Sequence, residues 1–276
     1  MARRLLLLPL LAALLLPALP RDGRAEAPAL KIVAGTSLIE DIVRDLTDGR
    51  AEMITLVAGS SCPGHDNANP ADFVFAAKAD AMLIHAFQRD MPQTAGLLET
   101  GKPGGIRLEV IEAGGSWLVP EVQRKATRAV AEVLARLSPG AAPDINKRAE
   151  TRLAGITRAE AEALSGLAAL KNTPVVVADT QSEFVRWAGF TVLEAYRRSG
   201  EMTARDVANL VDALRGRKIA GVVDNLQSGA DVGLPLALEL KVPHVVLSNF
   251  PGSDGDVPDY FSLLRRNVSR LAGLTG

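Results

Sequence analysis

What most constrains this chain of 276 residues is an alternation of short apolar runs with helix-patterned stretches, broken once by a helical stretch of unusual length. Lys31-Ile32-Val33-Ala34, Glu52-Met53-Ile54-Thr55-Leu56-Val57, Ala81-Met82-Leu83-Ile84 and Ile106-Arg107-Leu108-Glu109-Val110 read as strands with helical segments between them. After the interruption the pattern resumes at Pro174-Val175-Val176-Val177, Thr191-Val192-Leu193, Ile219-Ala220-Gly221-Val222-Val223 and His244-Val245-Val246-Leu247. Alternating β and α units of this kind build parallel sheets with helices on their faces. The expected fold is therefore α/β: two lobes, each with a mainly parallel sheet flanked by helices, joined by one long rigid helix.

The interruption runs from Asp144 to about Leu170 and is rich in Ala, Glu, Arg and Leu. At 1.5 Å rise per residue it spans roughly 40 Å as a helix, enough to strut two small lobes. This places an N-terminal α/β lobe at 26–142, the linking helix at 143–171 and a C-terminal α/β lobe at 172–276. Two local start signals support the helix assignments. Ser37-Leu38-Ile39-Glu40 has the spacing of a capping box, and Asn69-Pro70-Ala71-Asp72 combines a cap residue, a first-turn proline and an acid near the positive end of the helix dipole.

Residues 1–25 read as a cleaved secretory signal peptide: Arg3 and Arg4, an apolar run from Leu5 to Leu16, then small residues around Gly23 and Ala25. That run is shorter than the roughly 20 residues that span a bilayer. The single cysteine, Cys62, stands far from any lipid-anchoring position and has no intrachain disulfide partner, so the expectation is a periplasmic protein without a lipid anchor. With 31 basic and 32 acidic residues, the net charge of −1 gives no electrostatic footprint for nucleic acid.

Cys62 and His65 stand three positions apart on a loop after the second strand, and His85 closes the third. Ligands of open α/β sheets sit outside the carboxyl ends of the strands, so these residues lie on the edge where a site forms. Across the chain, Asp179 and Asp224 close the corresponding strands of the second series. A thiolate and imidazoles acting together favour zinc or copper over manganese, which prefers oxygen donors. His244, inside an apolar strand, reads as structural, and Trp117 and Trp187 as packing residues.

The order of elements, together with several motifs, resembles the metal-binding solute-binding proteins of ABC importers, the zinc and manganese uptake family. Pro63-Gly64-His65-Asp66-Asn67-Ala68-Asn69-Pro70-Ala71-Asp72 is similar to that family's Pro-His-x-x-x-Pro-x-x-Asp segment. Lys78-Ala79-Asp80-Ala81-Met82-Leu83-Ile84 resembles the strand entry that follows it, and Ser116-Trp117-Leu118-Val119-Pro120 resembles its His-x-Trp-Leu-Asp-Pro motif. The resemblance implies four metal ligands, two from each lobe. The first falls on His65, but the others fall on Gly115, near Ala178 with Asp179 beside it, and on Ser248.

Three of the four family donors are thus absent, and two readings follow. In one, the site is rebuilt from His65, Cys62, His85, Asp179 and Asp224, and the chain is a non-enzymatic, monomeric binding protein. It takes a divalent metal ion, zinc first, as cargo in the interlobe cleft and passes it to the membrane permease of an ABC transporter. In the other, the same fold takes a chelated metal or an organic solute, which brings its own donors. A hydrolase with Cys62 as nucleophile and His65 or His85 as base is the remaining class; no recognisable motif around the thiol supports it.

Overall fold

The computed structural model describes residues 29–61, 69–99, 105–253 and 255–274. Strands β1 (Lys31–Thr36), β2 (Glu52–Val57), β3 (Ala81–His85) and β4 (Arg107–Ile111) form one parallel sheet in the order β2-β1-β3-β4. Strands β5 (Pro174–Ala178), β6 (Thr191–Tyr196), β7 (Gly221–Asn225) and β8 (His244–Leu247) form a second parallel sheet in the equivalent order, β6-β5-β7-β8. Helices α1 (Ser37–Thr47), α2 (Pro70–Ala76), α3 (Pro92–Glu99) and α4 (Pro120–Leu137) belong to the first lobe. Helix α5 (Ala142–Gly166) links it to the second, which carries α6 (Ser182–Trp187), α7 (Ala204–Leu214), α8 (Leu234–Leu240) and α9 (Tyr260–Ala272). The two lobes and the long helix between them are as the sequence indicates. Among the described residues no helix is long and apolar enough to cross a membrane.

Strands covered on both faces read as continuous apolar runs rather than alternating ones. In β1 and β3, Val33, Met82 and Ile84 face the layer of α2 and α3, while Ile32, Ala34 and Leu83 face α1 and α4. The second cluster does not stop at the lobe. It continues through Ile145, Ala149 and Ile156 of α5 to Val175, Val177, Val223 and Leu247 of the second sheet. The linking helix is therefore not a strut through water: at 25 residues it packs along α1, α4 and α9 and joins both lobes in one core. At roughly 25 cal/mol for each Å² of apolar surface buried, such a seam resists independent motion of the lobes.

Polar ties reinforce the seam. Arg152 of α5, almost fully buried, donates to Asp41 of α1 at 2.7 Å and pairs with Asp45 one turn on. Asp41 also accepts from the Tyr260 backbone N–H that starts α9, and the Tyr260 hydroxyl donates to Leu118 O of the first lobe. Burial alone would lower the pKa of Arg152, but Asp41 and Asp45 outweigh it and hold the guanidinium above its ordinary value.

The Asn69 signal forms as read: its side chain caps α2 and Asp72 returns the bond. The Ser37 signal does not form. Thr36 occupies the cap position without a side-chain bond, and Ser37 Oγ instead donates across the lobes to Pro251 O at 2.8 Å. Glu40 is drawn off by Arg44 and Thr55.

Candidate functional site

In the order β2-β1-β3-β4 the chain turns left from β1 and then right to β3, so the crevice of the first lobe opens between the ends of these two strands. Those ends are Thr36 and His85, and they touch: Thr36 Oγ1 lies 2.7 Å from His85 Nε2. The imidazole is 4% exposed and packs against the Trp117 ring at 3.9 Å between centroids. The Phe87 ring centre lies 5.2 Å from that of the imidazole. Burial pushes the His85 pKa down to about 3, so the ring is neutral at physiological pH. Gln88 fixes the strand end from below, accepting from His85 N and donating to Gly35 O.

The equivalent crevice of the second lobe lies between the ends of β5 and β7, and its chemistry is different. Asn225 Oδ1 accepts from both the backbone N–H and the hydroxyl of Ser228, whose hydroxyl lies 3.2 Å from Thr180 Oγ1. Gln181 donates to Asn249 Oδ1 at 2.7 Å, while its own Oε1 is buried without a hydrogen-bond partner among the described residues. Gln227 Nε2 bonds Ser248 Oγ at 2.8 Å. This edge offers amides and hydroxyls.

The two edges meet. Gln227 Nε2 also donates to Gly59 O at 2.7 Å, and a side chain at Gly59 would run into Pro251 O at 2.2 Å, so the lobes touch here backbone to backbone. Nearby, Glu183 at the start of α6 accepts from Ser116 N at 2.7 Å. Gly115 has φ +66, and a Cβ there would meet the Glu183 carboxylate at 2.4 Å. The carboxylate of one lobe thus occupies the space a side chain at position 115 of the other would need.

The residues singled out from the sequence fall in different places. Cys62 and His65 lie outside the described residues, between Ser61, close to the Gly59 contact, and Asn69 at the cap of α2. His85 is at the first crevice. Asp179 is exposed on the turn after β5, at the second crevice. Asp224 is fully buried on the opposite face of the second sheet. It accepts from Tyr196 Oη at 2.6 Å and the Gly233 N–H at 2.8 Å, and its Oδ2 lies 2.7 Å from His244 Nε2. Burial first, and the Asp224 carboxylate second, push the Tyr196 hydroxyl well above the usual phenol range. On a strand, residues 222 and 224 share one face and 223 and 225 the other. Asn225, not Asp224, therefore faces the crevice side. His244 is structural, as its apolar surroundings indicated.

Among the described residues no three His, Cys, Asp or Glu side chains gather closely enough to hold a metal ion. Thr36, Glu183 and Gln181 carry no signal in the sequence, because their roles arise from contacts over 40 or more positions. The Ser248 position, where the family resemblance implies a carboxylate, is a buried hydroxyl with Asn267 bridging its backbone.

Comparison with known proteins bears on this arrangement. The family model described as "ZnuA: Zinc-uptake complex component A periplasmic" matches residues 32–273. A crystal structure of ZnuA superposes with a TM-score of 0.76 at 16% identity, covering 89% of this chain and 98% of that one. A periplasmic metal-binding protein from Candidatus Liberibacter asiaticus gives 0.73 at 16%, covering 88% and 99%. A zinc-bound deletion mutant of ZnuA gives 0.74 at 17%, covering 88% and 97%. No curated protein matches the chain by sequence.

Proposed function

The chain belongs to the family of ZnuA, the periplasmic component A of zinc uptake, and from that premise we propose that it captures a divalent metal ion, zinc first, between its lobes. It then delivers the ion to the membrane permease of an ABC transporter, without catalysis. The observation that carries this reading is the place of His85: its imidazole closes β3 at the crevice of the first lobe, with Nε2 2.7 Å from Thr36 Oγ1 at the end of β1. Cys62 and His65, which follow β2 in the sequence, are the further donors of this reading. Soft thiolate and imidazole donors select zinc over manganese, with Asp179 the donor on the opposite edge. Asp224, whose oxygens serve Tyr196, Gly233 and His244, stays with its sheet.

Equilibrium dialysis of the mature chain against zinc, copper, manganese and cobalt tests the proposal. The expected result is one zinc per chain, lost in His65→Ala; failure to take up any of the four at stoichiometric level refutes it. One observation favours a second reading, a chelated metal or an organic solute: the second crevice presents Asn225, Ser228, Gln181 and Asn249, groups that hydrogen-bond a ligand's own polar atoms. Native mass spectrometry of protein recovered from its own periplasm separates the two by the mass retained.

A further inference from the structure

In a parallel sheet with helices on its faces, every strand starts at one edge and the helices between strands end there. The crevice of the second lobe is at the opposite edge, so the starting edge is a separate surface. Four segments build it: residues 168–173 lead into β5, 187–190 into β6, 215–220 into β7 and 241–243 into β8. Together they carry Lys171, Arg215, Arg217, Lys218 and Lys241, all exposed, and no aspartate or glutamate. Strands β5, β7 and β8 are neighbours in that order. At about 4.8 Å between adjacent strands, their starts fall within roughly 10 Å of one another, about one Debye length at 0.1 M salt.

The nearest carboxylates do not neutralise this edge. Asp212, near the end of α7, pairs with Arg215, and Glu239 stands two positions before Lys241 in α8. With Arg215 paired, the four cations Lys171, Arg217, Lys218 and Lys241 face the one carboxylate of Glu239. One turn farther out, Arg186 of α6 and Glu162 of α5 offset each other. A cation at a helix C-terminus complements the helix dipole, which accounts for Arg215 and Lys241. Arg217 and Lys218 lie beyond the end of α7 and are not explained that way. The first sheet is different: the starts of β1, β2 and β3 mix Lys31, Asp48, Arg50, Glu52, Lys78 and Asp80, with Lys31 paired to Glu52 and Arg148 to Asp48.

Exposed apolar side chains flank the cations. Leu238, 68% exposed, stands three positions before Lys241, and Leu164, 41% exposed, is near the end of α5. They lie beside opposite faces of the sheet, because Leu236 and Ala237 of α8 pack with Val176 and Val222, while Leu167 after α5 packs in the cluster of Val175 and Val177. Small ligands need a concave site, and these cations stand on the loops that end the lobe. Cations spread over such an end with leucines beside them suit a flat anionic interface.

We propose that the strand-start edge of the second lobe docks on a bilayer surface carrying anionic phospholipid, through Lys171, Arg217, Lys218 and Lys241. The contact is reversible, because it rests on electrostatics and few apolar groups, and it leaves the crevices at the far edge facing solvent.

Vesicle sedimentation of the mature chain tests this, with vesicles of phosphatidylglycerol and phosphatidylcholine in equal parts and of phosphatidylcholine alone. The expected result at about 0.1 M salt is binding to the anionic vesicles and none to the neutral ones, lost at about 1 M salt. Lys171→Ala, Arg217→Ala, Lys218→Ala and Lys241→Ala combined are expected to weaken partitioning at least tenfold. Lys78→Ala, Lys125→Ala, Lys147→Ala and Arg158→Ala combined remove the same charge elsewhere and should leave it within about twofold. Both variants change exposed side chains, and circular dichroism checks their folding. Absence of binding to anionic vesicles at up to about 5 mM lipid, equal binding to neutral vesicles, or equal weakening by the two variants overturns the proposal. Capture by polyglutamate without capture by vesicles also overturns it, since the partner is then an acidic polypeptide.

Discussion

The two crevices have the same topology and opposite chemistry. In each sheet the chain reverses between the first and third strands, yet one crevice holds a buried imidazole against Thr36 and Trp117 while the other holds amides and hydroxyls around Asn225. The second lobe does possess a buried carboxylate and a histidine, but β7 carries Asp224 on the face away from the crevice, where it ties together β6, β8 and the start of α8. An identical architecture can therefore set an imidazole at the crevice of one lobe and turn the carboxylate of the other into a tie within its own sheet. The deciding variable is strand parity.

The largest effect that would break this contrast is expected at Asp224. Asp224→Ala removes the acceptor of three donors and should lower stability by about 3 to 5 kcal/mol, as loss of one partner of a buried pair does. Urea unfolding measures it, and zinc stoichiometry in the folded variant should be unchanged. Loss of zinc by a folded Asp224→Ala protein would erase the distinction between the lobes.

Next comes removal of the proposed donors. His65→Ala is expected to weaken zinc binding at least about 100-fold, close to 2.7 kcal/mol, with Asp179→Asn costing about tenfold or less. Competition with a chromogenic chelator ranks them. A larger effect at Asp179 would make the second crevice the principal donor.

A third test uses pH. His85 takes up its proton near 3 when folded and near 6.5 when unfolded, so between these values the unfolded state binds more protons. Its contribution is complete above about 6.5 and lost as pH falls, by about 2 kcal/mol between pH 6.5 and 5. Metal-free protein should show this slope in chemical denaturation, and His85→Asn should flatten it. An unchanged slope in the variant would move the cause to another group.

The smallest effect concerns the seam between the crevices. Gly115→Ala places a side chain at φ +66 and into the Glu183 carboxylate, an expected cost of about 1 to 2 kcal/mol. Thermal unfolding reads the loss. Glu183→Ala in the same background should recover the steric part of it and leave the backbone part.

How much was legible beforehand differs between fold and site. The strands announced themselves because a sheet covered on both faces needs apolar runs, and residues 32–34 of β1, 81–84 of β3, 175–178 of β5 and 221–223 of β7 are such runs. Asn69 capped α2 as its local spacing implied, since both partners of that bond lie within one turn. Ser37 had the same local credentials and a different fate, because Pro251, over 200 positions away, offers its hydroxyl a better acceptor. Asp224 misled for a related reason: a strand end is visible in the sequence, but the face its side chains take depends on register with β5 and β8.

The sequence by itself determined the α/β alternation, the long central helix and the presence of imidazoles at the strand ends, because apolar period and chain order are local properties. Only the tertiary structure decided that the linking helix lies inside a shared core, that His85 is buried and neutral, and that Glu183 fills the space beside Gly115. Those outcomes depend on which surfaces exclude water from one another, and that is settled by residues far apart in the chain.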